Sequence, residues 1–304
     1  MTSKKALLIG GSGFVGQEIA VQLASLGYVT IVPTRRASSA RDLWVLPQLR
    51  VVEADIHDEK VLHQLCAQLS PQDVVINLVG ILHDQPASPY GKRFAKNHVE
   101  LPRKIIAAMK QAGIKRYLHM SALGADSQGP SMYQRSKGDG ERLVQGSQLD
   151  WTIFRPSVIF GEKDSFINLF ASLQKLAPLM PLAGASAKFQ PVYVKDVASA
   201  FVQSIDLRST IHQVCHLVGP KTYTLAELVR FAGIKAGSSR AIIPIPRALG
   251  YIQAWVLEHL PGSTLMSRDN IASMKVDNIL STSDENSLVR DFGISPQALE
   301  VLLK

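Results

Sequence analysis

Residues Gly10-Gly11-Ser12-Gly13-Phe14-Val15-Gly16 stand between a short apolar run, Ala6 to Ile9, and an amphipathic stretch, Phe14 to Leu26. A strand, a tight turn and a helix therefore follow one another within a few residues. Positions without a Cβ let the turn close, let the backbone approach a bound group and let the helix pack against the strand. The first N–H groups of such a helix have no internal acceptor, so they face outward and favour an anion. In this context the spacing reads as a loop for the pyrophosphate of a dinucleotide rather than as a glycine-rich turn.

Short runs rich in Val and Ile recur at 29–32, 51–54, 74–79, 116–120 and 151–154, separated by helical periods at 61–69, 101–112 and 133–144. Continuous apolar runs alternating with amphipathic ones suit parallel strands covered on both faces by helices. The expectation is an α/β fold, a Rossmann doubly wound parallel sheet formed by residues 1–155. Beyond Pro156, prolines at 178, 181, 191, 220, 244, 246 and 261 break the texture, while strand-like Val192–Val194 and Val214–Val218 alternate with helix-like Val197–Ile205 and Leu225–Ala236. Residues 156–304 are expected to form a smaller, partly interleaved C-terminal lobe that shapes a substrate cleft, with parts returning to the sheet. A chain of 304 residues, 46% of them apolar, can bury a single core.

Cys66 and Cys215 lie far apart in apolar stretches, which points to buried thiols in a reducing, cytoplasmic setting rather than to a disulfide framework. No run approaches the roughly 18 apolar residues that cross a bilayer. The net charge of +8 is scattered and not massed, so nucleic acid is not an expected partner. The histidines show no ligand spacing with cysteines or carboxylates, so no metal is expected.

The second strand-like run ends in Pro33-Thr34-Arg35-Arg36, where a site preferring NAD(H) places a carboxylate for the ribose hydroxyls. Two guanidiniums suit a 2′-phosphate, so NADP(H) is expected to be preferred over NAD(H). Asp55 and Ile56 are placed to flank the adenine, Asp55 alternatively capping the next helix, and Leu78-Val79-Gly80 to run beside the ribose.

Tyr133 and Lys137 stand at i and i+4 on one helix face. A fixed positive charge beside a phenol lowers its pKa from about 10, which makes the tyrosine a proton donor or acceptor for a carbonyl/alcohol pair. Ser121, just after the strand-like run 116–120, is placed to hydrogen-bond the same oxygen, and His83 lies in a loop expected near the substrate. Gly138 and Gly140 each lower helix propensity by about 1 kcal/mol, leaving either close packing or a less rigid segment.

The glycine loop, the set Ser121, Tyr133 and Lys137, Arg155-Pro156-Ser157 after a strand, and Tyr193-Val194-Lys195-Asp196-Val197 occur in an order that resembles the short-chain dehydrogenase/reductase superfamily, in its extended or atypical branch. The resemblance implies an acid/base role for Tyr133, ribose binding by Lys137, substrate orientation by Ser121, cofactor contacts near Pro156 and Ser157, and a water-holding place for Asn97. Ser267-Arg268-Asp269-Asn270, Met274-Lys275-Val276-Asp277-Asn278 and Phe292-Gly293-Ile294-Ser295-Pro296 are similar to bacterial relatives of the NADPH-binding accessory subunit of mitochondrial complex I. That likeness implies retained NADPH binding and raises a non-catalytic alternative, an accessory or assembly factor of a membrane-bound respiratory or quinone-related complex. A sugar-nucleotide epimerase or dehydratase is a third reading, disfavoured by Arg35 and Arg36. Finally, Ile245–Leu260 reads as a helix with Leu249, Ile252, Val256 and Leu260 on one stripe, widened by Tyr251, Trp255 and Leu257. Core packing or a subunit contact is expected for it, with contact to an anionic membrane surface as the alternative.

Overall fold

The computed structural model describes residues 4–176, 178–259 and 266–303. The first half alternates strands and helices: β1 (Lys5–Ile9), α1 (Phe14–Ser25), β2 (Val29–Thr34), β3 (Leu49–Glu53), α2 (Glu59–Cys66), β4 (Val74–Asn77), α3 (Lys92–Phe94), α4 (Leu101–Ala112), β5 (Arg116–Met120), α5 (Met132–Gln145) and β6 (Asp150–Pro156). The second half adds β7 (Ile159–Phe160), α6 (Ser165–Leu176), β8 (Leu179–Ala183), β9 (Lys188–Phe189), β10 (Val192–Tyr193), α7 (Val194–Ser204), β11 (Gln213–Leu217), β12 (Tyr223–Thr224), α8 (Leu225–Lys235), β13 (Ala241–Ile245), α9 (Arg247–His259), α10 (Arg268–Ser273) and α11 (Ser287–Arg290). Seven parallel strands form one sheet in the order β11-β6-β5-β4-β1-β2-β3. The order reverses between β1 and β4, and ligands of such sheets lie beyond the carboxyl ends of the strands at that point.

Side chains alternate across the strands, so the sheet separates two apolar layers. Ala6 and Leu8 pack with Ile19 and Leu23 of α1 and with Val197 and Phe201 of α7. Leu7 and Ile9 pack on the opposite face with Leu62 of α2, Ile105 and Met109 of α4, and Val144 of α5. A third cluster joins α6, α8 and β8, and a fourth, smaller one joins Ala183, Ala254 and Ile271. The single core expected from composition is thus divided, because a sheet buried on both faces cannot place its side chains in one volume. β11 supplies the edge strand beside β6, so the second half of the chain completes the sheet.

The helix expected at 245–260 behaves differently from its reading. Ile245 belongs to β13, which pairs in parallel with β8, and the helix starts at Arg247; Leu260 lies outside the described residues. It buries Gly250 and Ala254 and leaves Leu249, Ile252, Trp255 and Val256 exposed. Core packing of the large stripe is therefore corrected: the small residues on the other side allow the helix backbone to lie directly against β8.

Candidate active site

At the carboxyl end of β1 the chain turns through Gly10, whose φ of +84° is open to glycine at little cost. Gly11 N–H donates to the Leu8 carbonyl at 3.2 Å and Gly13 N–H to the Gly10 carbonyl at 3.0 Å. A Cβ on Gly16 would lie 2.5 Å from the Gly10 carbonyl oxygen, so only glycine lets α1 start this close to the loop. Gly13 stands at the N-cap of α1 and supplies no capping side chain, leaving the N–H groups of the first turn, at Phe14 and Val15, directed out of the helix. Ser12 sits on the rim, its carbonyl accepting from the Gln17 amide at 3.3 Å. A strand end, a cradle that a Cβ would fill and an uncapped helix N-terminus fit the pyrophosphate of a dinucleotide.

The walls of this cradle come from neighbouring strands. Leu78 N–H donates to the Ile9 carbonyl at 2.9 Å, and Val79 N–H is turned by the Asn77 side chain at 3.1 Å, bringing Leu78 against Gly10. At the end of β2 the Thr34 hydroxyl donates to the Arg36 carbonyl at 3.3 Å, while Arg35 and Arg36 are exposed and make no ion pair among the described residues. Asp55 accepts from His57 N–H at 3.0 Å, and the cap of α2 is Asp58, which accepts from Lys60 N–H; Asp55 therefore shapes the turn and does not cap the helix. Ile56 packs against the α2–α4 layer. Burial first, then the charges of Lys96, Lys104 and Arg35, hold His57 below its ordinary pKa against the pull of Asp55.

Met132–Gln145 forms a helix because Ser131 and Gln134 cap its start reciprocally. Asp269 of the C-terminal segment adds a second cap, accepting from Met132 N–H at 2.7 Å and from Tyr133 N–H at 3.0 Å. One turn on, Lys137 is buried and donates to the Met120 carbonyl at 3.0 Å, beside Ser121. Ser121 is fixed by its own N–H, which donates to the Phe154 carbonyl at 2.7 Å, and its buried hydroxyl has no hydrogen-bond partner. Burial pushes the Tyr133 phenol up to about 12 and the Lys137 ammonium down to about 8. The sequence reading expects the lysine to lower the tyrosine; in the folded protein desolvation dominates and the ammonium is turned to Met120.

His98, one of the histidines without ligand spacing, is the residue beside Tyr133 and Lys137 that sequence reasoning missed. Ala95–Glu100 is wound as a π-helix between α3 and α4, a wider turn frequent at functional sites. Its Nε2 accepts from Ile81 N–H at 3.1 Å, so Nδ1 carries the hydrogen and donates to the Ser136 hydroxyl at 2.8 Å, which in turn donates to the Tyr133 carbonyl. Burial and the Lys137 charge hold the imidazole neutral. Its ring lies edge-on to Tyr133, with centroids 5.7 Å apart, and Gly80 packs between His98 and Lys137. Gly140 leaves room for this turn, since a Cβ there would meet the His98 carbonyl at 2.2 Å; of the two readings for the glycines of α5, close packing is the one observed.

Asn97 faces away from this group, its amide donating to the Arg93 carbonyl of its own helix at 2.8 Å, so the place beside Lys137 belongs to His98. His83 sits on the rim, 3.3 Å from the Ser267 hydroxyl. Pro156 ends β6, and the Ser157 hydroxyl donates to the Asn278 side chain at 2.6 Å, whose amide donates to the Leu123 carbonyl at 3.1 Å. Arg155, half-buried, is committed to an ion pair with the buried Glu141 at 2.5 Å. Among the described residues no group of three histidines, cysteines or carboxylates has metal-binding geometry.

Residues 6–218 match the NAD dependent epimerase/dehydratase family. The chain is 29% identical to the mouse mitochondrial NADH dehydrogenase (ubiquinone) 1 alpha subcomplex subunit 9, with 97% of this chain and 78% of that protein aligned. It is 25% identical to the photosystem II assembly factor Ycf39 of Guillardia theta, over 97% of this chain and 91% of that one. Its fold is shared with the Thermus thermophilus UDP-glucose 4-epimerase in complex with NAD, at a TM-score of 0.67 and 18% identity, covering 89% of this chain and 99% of that structure. With a strand-loop-helix cradle at its switch point and a match across more than half its length, the chain belongs to the NAD dependent epimerase/dehydratase family.

Proposed function

We propose that the protein binds NADP(H) in preference to NAD(H) and acts as an oxidoreductase on a carbonyl or alcohol of a small molecule. The observation that carries this reading is the buried, unpartnered hydroxyl of Ser121, just past the end of β5, beside the carbonyl that holds Lys137 one turn along the helix of Tyr133. A buried hydroxyl without a partner costs free energy and suits an oxygen brought by a ligand. The cofactor supplies or takes a hydride when bound. The loop Gly10–Gly16 holds the pyrophosphate with the N–H groups of α1; Thr34, Arg35 and Arg36 receive the 2′-phosphate; Asp55 and Ile56 flank the adenine; Leu78 to Gly80, Pro156 and Ser157 border the ribose and nicotinamide side. Lys137 leaves Met120 to bind ribose, Ser121 orients the reacting oxygen, and Tyr133 gives it a proton or removes one. His83 borders the substrate.

Two measurements test this. Replacing Arg35 and Arg36 by Ala should weaken NADPH binding by about 2 kcal/mol, roughly thirtyfold, and leave NADH nearly unchanged. Equal losses for both nucleotides would refute the 2′-phosphate assignment. Tyr133→Phe should keep NADPH binding and abolish NADPH oxidation by any aldehyde, ketone or quinone that the unmodified protein reduces.

A second reading is favoured by the exposed apolar face of α9: a non-catalytic NADP(H)-binding accessory or assembly factor of a respiratory or quinone-related complex, peripheral on the cytoplasmic side of a membrane. Among the described residues no helix is long and apolar enough to cross a membrane. Absence of turnover with any carbonyl or quinone, with NADPH bound, would favour this reading over the first.

A further inference from the structure

α9 is amphipathic in the opposite sense to a core helix. Gly250 and Ala254 face the protein, and a Cβ on Gly250 would lie 2.3 Å from that of Ala183. Leu249, Ile252, Trp255 and Val256 are 52%, 61%, 50% and 46% exposed. At about 100° per residue these four occupy one continuous arc of about 120° opposite the two small residues. Beside the helix, the ribbon of β8 and β13 carries Leu179 and Ile243, also exposed. Strand alternation puts both on the ribbon face that carries Ala183 and Ile245, the face on which α9 packs. Four large apolar side chains exposed on one arc of a helix mark a surface that something covers.

The surrounding charges select the occupant. In 165–183 and 236–259, the segments that build this surface, the Lys and Arg residues are Lys175, Arg240 and Arg247, all exposed and none in an ion pair among the described residues. The carboxylate there, Glu258, is already paired with Arg268 at 2.8 Å. Trp255 packs at a tilt against His259 with centroids 4.8 Å apart, an aromatic body with a polar edge suited to a water–lipid boundary. An apolar ridge on segments whose cations are in no ion pair among the described residues and whose one carboxylate is already neutralised is complementary to a layer of anionic headgroups over acyl chains. At 13 residues, about 20 Å, the helix is too short to span a bilayer and fits lying in its plane.

We propose that the α9 face formed by Leu249, Ile252, Trp255 and Val256 docks the protein on an anionic lipid surface. The proposal rests on the second functional reading and names its partner.

Flotation of the full-length protein with phosphatidylglycerol-containing vesicles, against pure phosphatidylcholine vesicles, tests it. The unmodified protein should float with the anionic vesicles and detach as salt is raised. Ile252→Ser/Trp255→Ser should reduce the floating fraction roughly tenfold with an unchanged melting temperature, because both side chains are exposed. Lys175→Glu/Arg247→Glu should also reduce it, through charge alone. No flotation of the unmodified protein, or equal flotation with pure phosphatidylcholine, would overturn the proposal. A dimer that dissociates on Ile252→Ser/Trp255→Ser would assign the face to a second copy and overturn it too. Binding to a purified respiratory complex without any vesicle binding would overturn the lipid assignment while leaving the accessory reading intact.

Discussion

Asp269→Ala is expected to destabilise the protein by about 3 kcal/mol and to loosen the first turn of the helix that carries Tyr133. One carboxylate accepts from both Met132 N–H and Tyr133 N–H, at 2.7 and 3.0 Å, and neither donor has an acceptor within its own helix. A hydrogen bond to a charged group contributes about 1.5–3 kcal/mol, so the two together give about 3–6 kcal/mol before other costs. Burial takes back part of this: it raises the Asp269 pKa even though both backbone bonds, Arg135 and His83 pull the other way. Ser131 still caps Gln134, so the helix keeps its start. The net of these effects lies near the lower bound of the bond energies. Asp269→Asn, retaining one acceptor oxygen, should lose about half as much. Urea unfolding gives the stability change, and amide exchange at residues 132–137 shows where the loosening falls. A change below about 0.5 kcal/mol, with exchange in α5 unaltered, would show that the cap contributes nothing and refute the reasoning.

Lys137 gives a pH prediction. Burial holds its pKa at about 8 in the folded protein against 10.5 for the free side chain. Charging it therefore penalises the folded state fully below pH 8, and the penalty fades as pH rises toward 10.5, so the ligand-free protein should gain up to about 3 kcal/mol across that window. Tyr133, pushed up to about 12, opposes this only above pH 10, where the unfolded chain ionises first. Melting temperatures of the Lys137→Met protein should lack the rise between pH 8 and 10; an identical rise in both proteins would assign it elsewhere. Gly140→Ala should destabilise by about 1–3 kcal/mol despite better helix propensity, because the added methyl meets the His98 carbonyl. A melting temperature equal to or above that of the parent would contradict the packing described for the π-helical turn.

The strands were readable because those buried on both faces appear as uninterrupted Val- and Ile-rich runs; Arg116–Met120 and Leu101–Ala112 have the bounds that the pattern predicts. The loop was readable because glycine is demanded by geometry at Gly10 and Gly16. His98 was not, since an α-helical period does not foresee the extra residue per turn that places its ring against Tyr133. Asp269 meets Tyr133 across 136 residues, and no local rule encodes such a partner. For α9 the period was visible and its direction was not. Gly250 and Ala254, opposite the stripe, carried that information: two small residues one turn apart permit close backbone packing, which leaves the bulky side to face outward.

Arg268 and Asp269 are consecutive residues held by different helices. Glu258 of α9 accepts from the Arg268 N–H at 2.6 Å and from its guanidinium at 2.8 Å, while Asp269 holds the first turn of α5. The helix that faces outward and the helix that carries Tyr133 and Lys137 are thereby joined through a single peptide unit. Binding equilibria connected in this way obey reciprocity: whatever factor an occupant of α9 imposes on nucleotide affinity, the nucleotide imposes on the affinity of that occupant. If α9 and the nucleotide loop are occupied as proposed, this dipeptide is the covalent link through which such a coupling would pass.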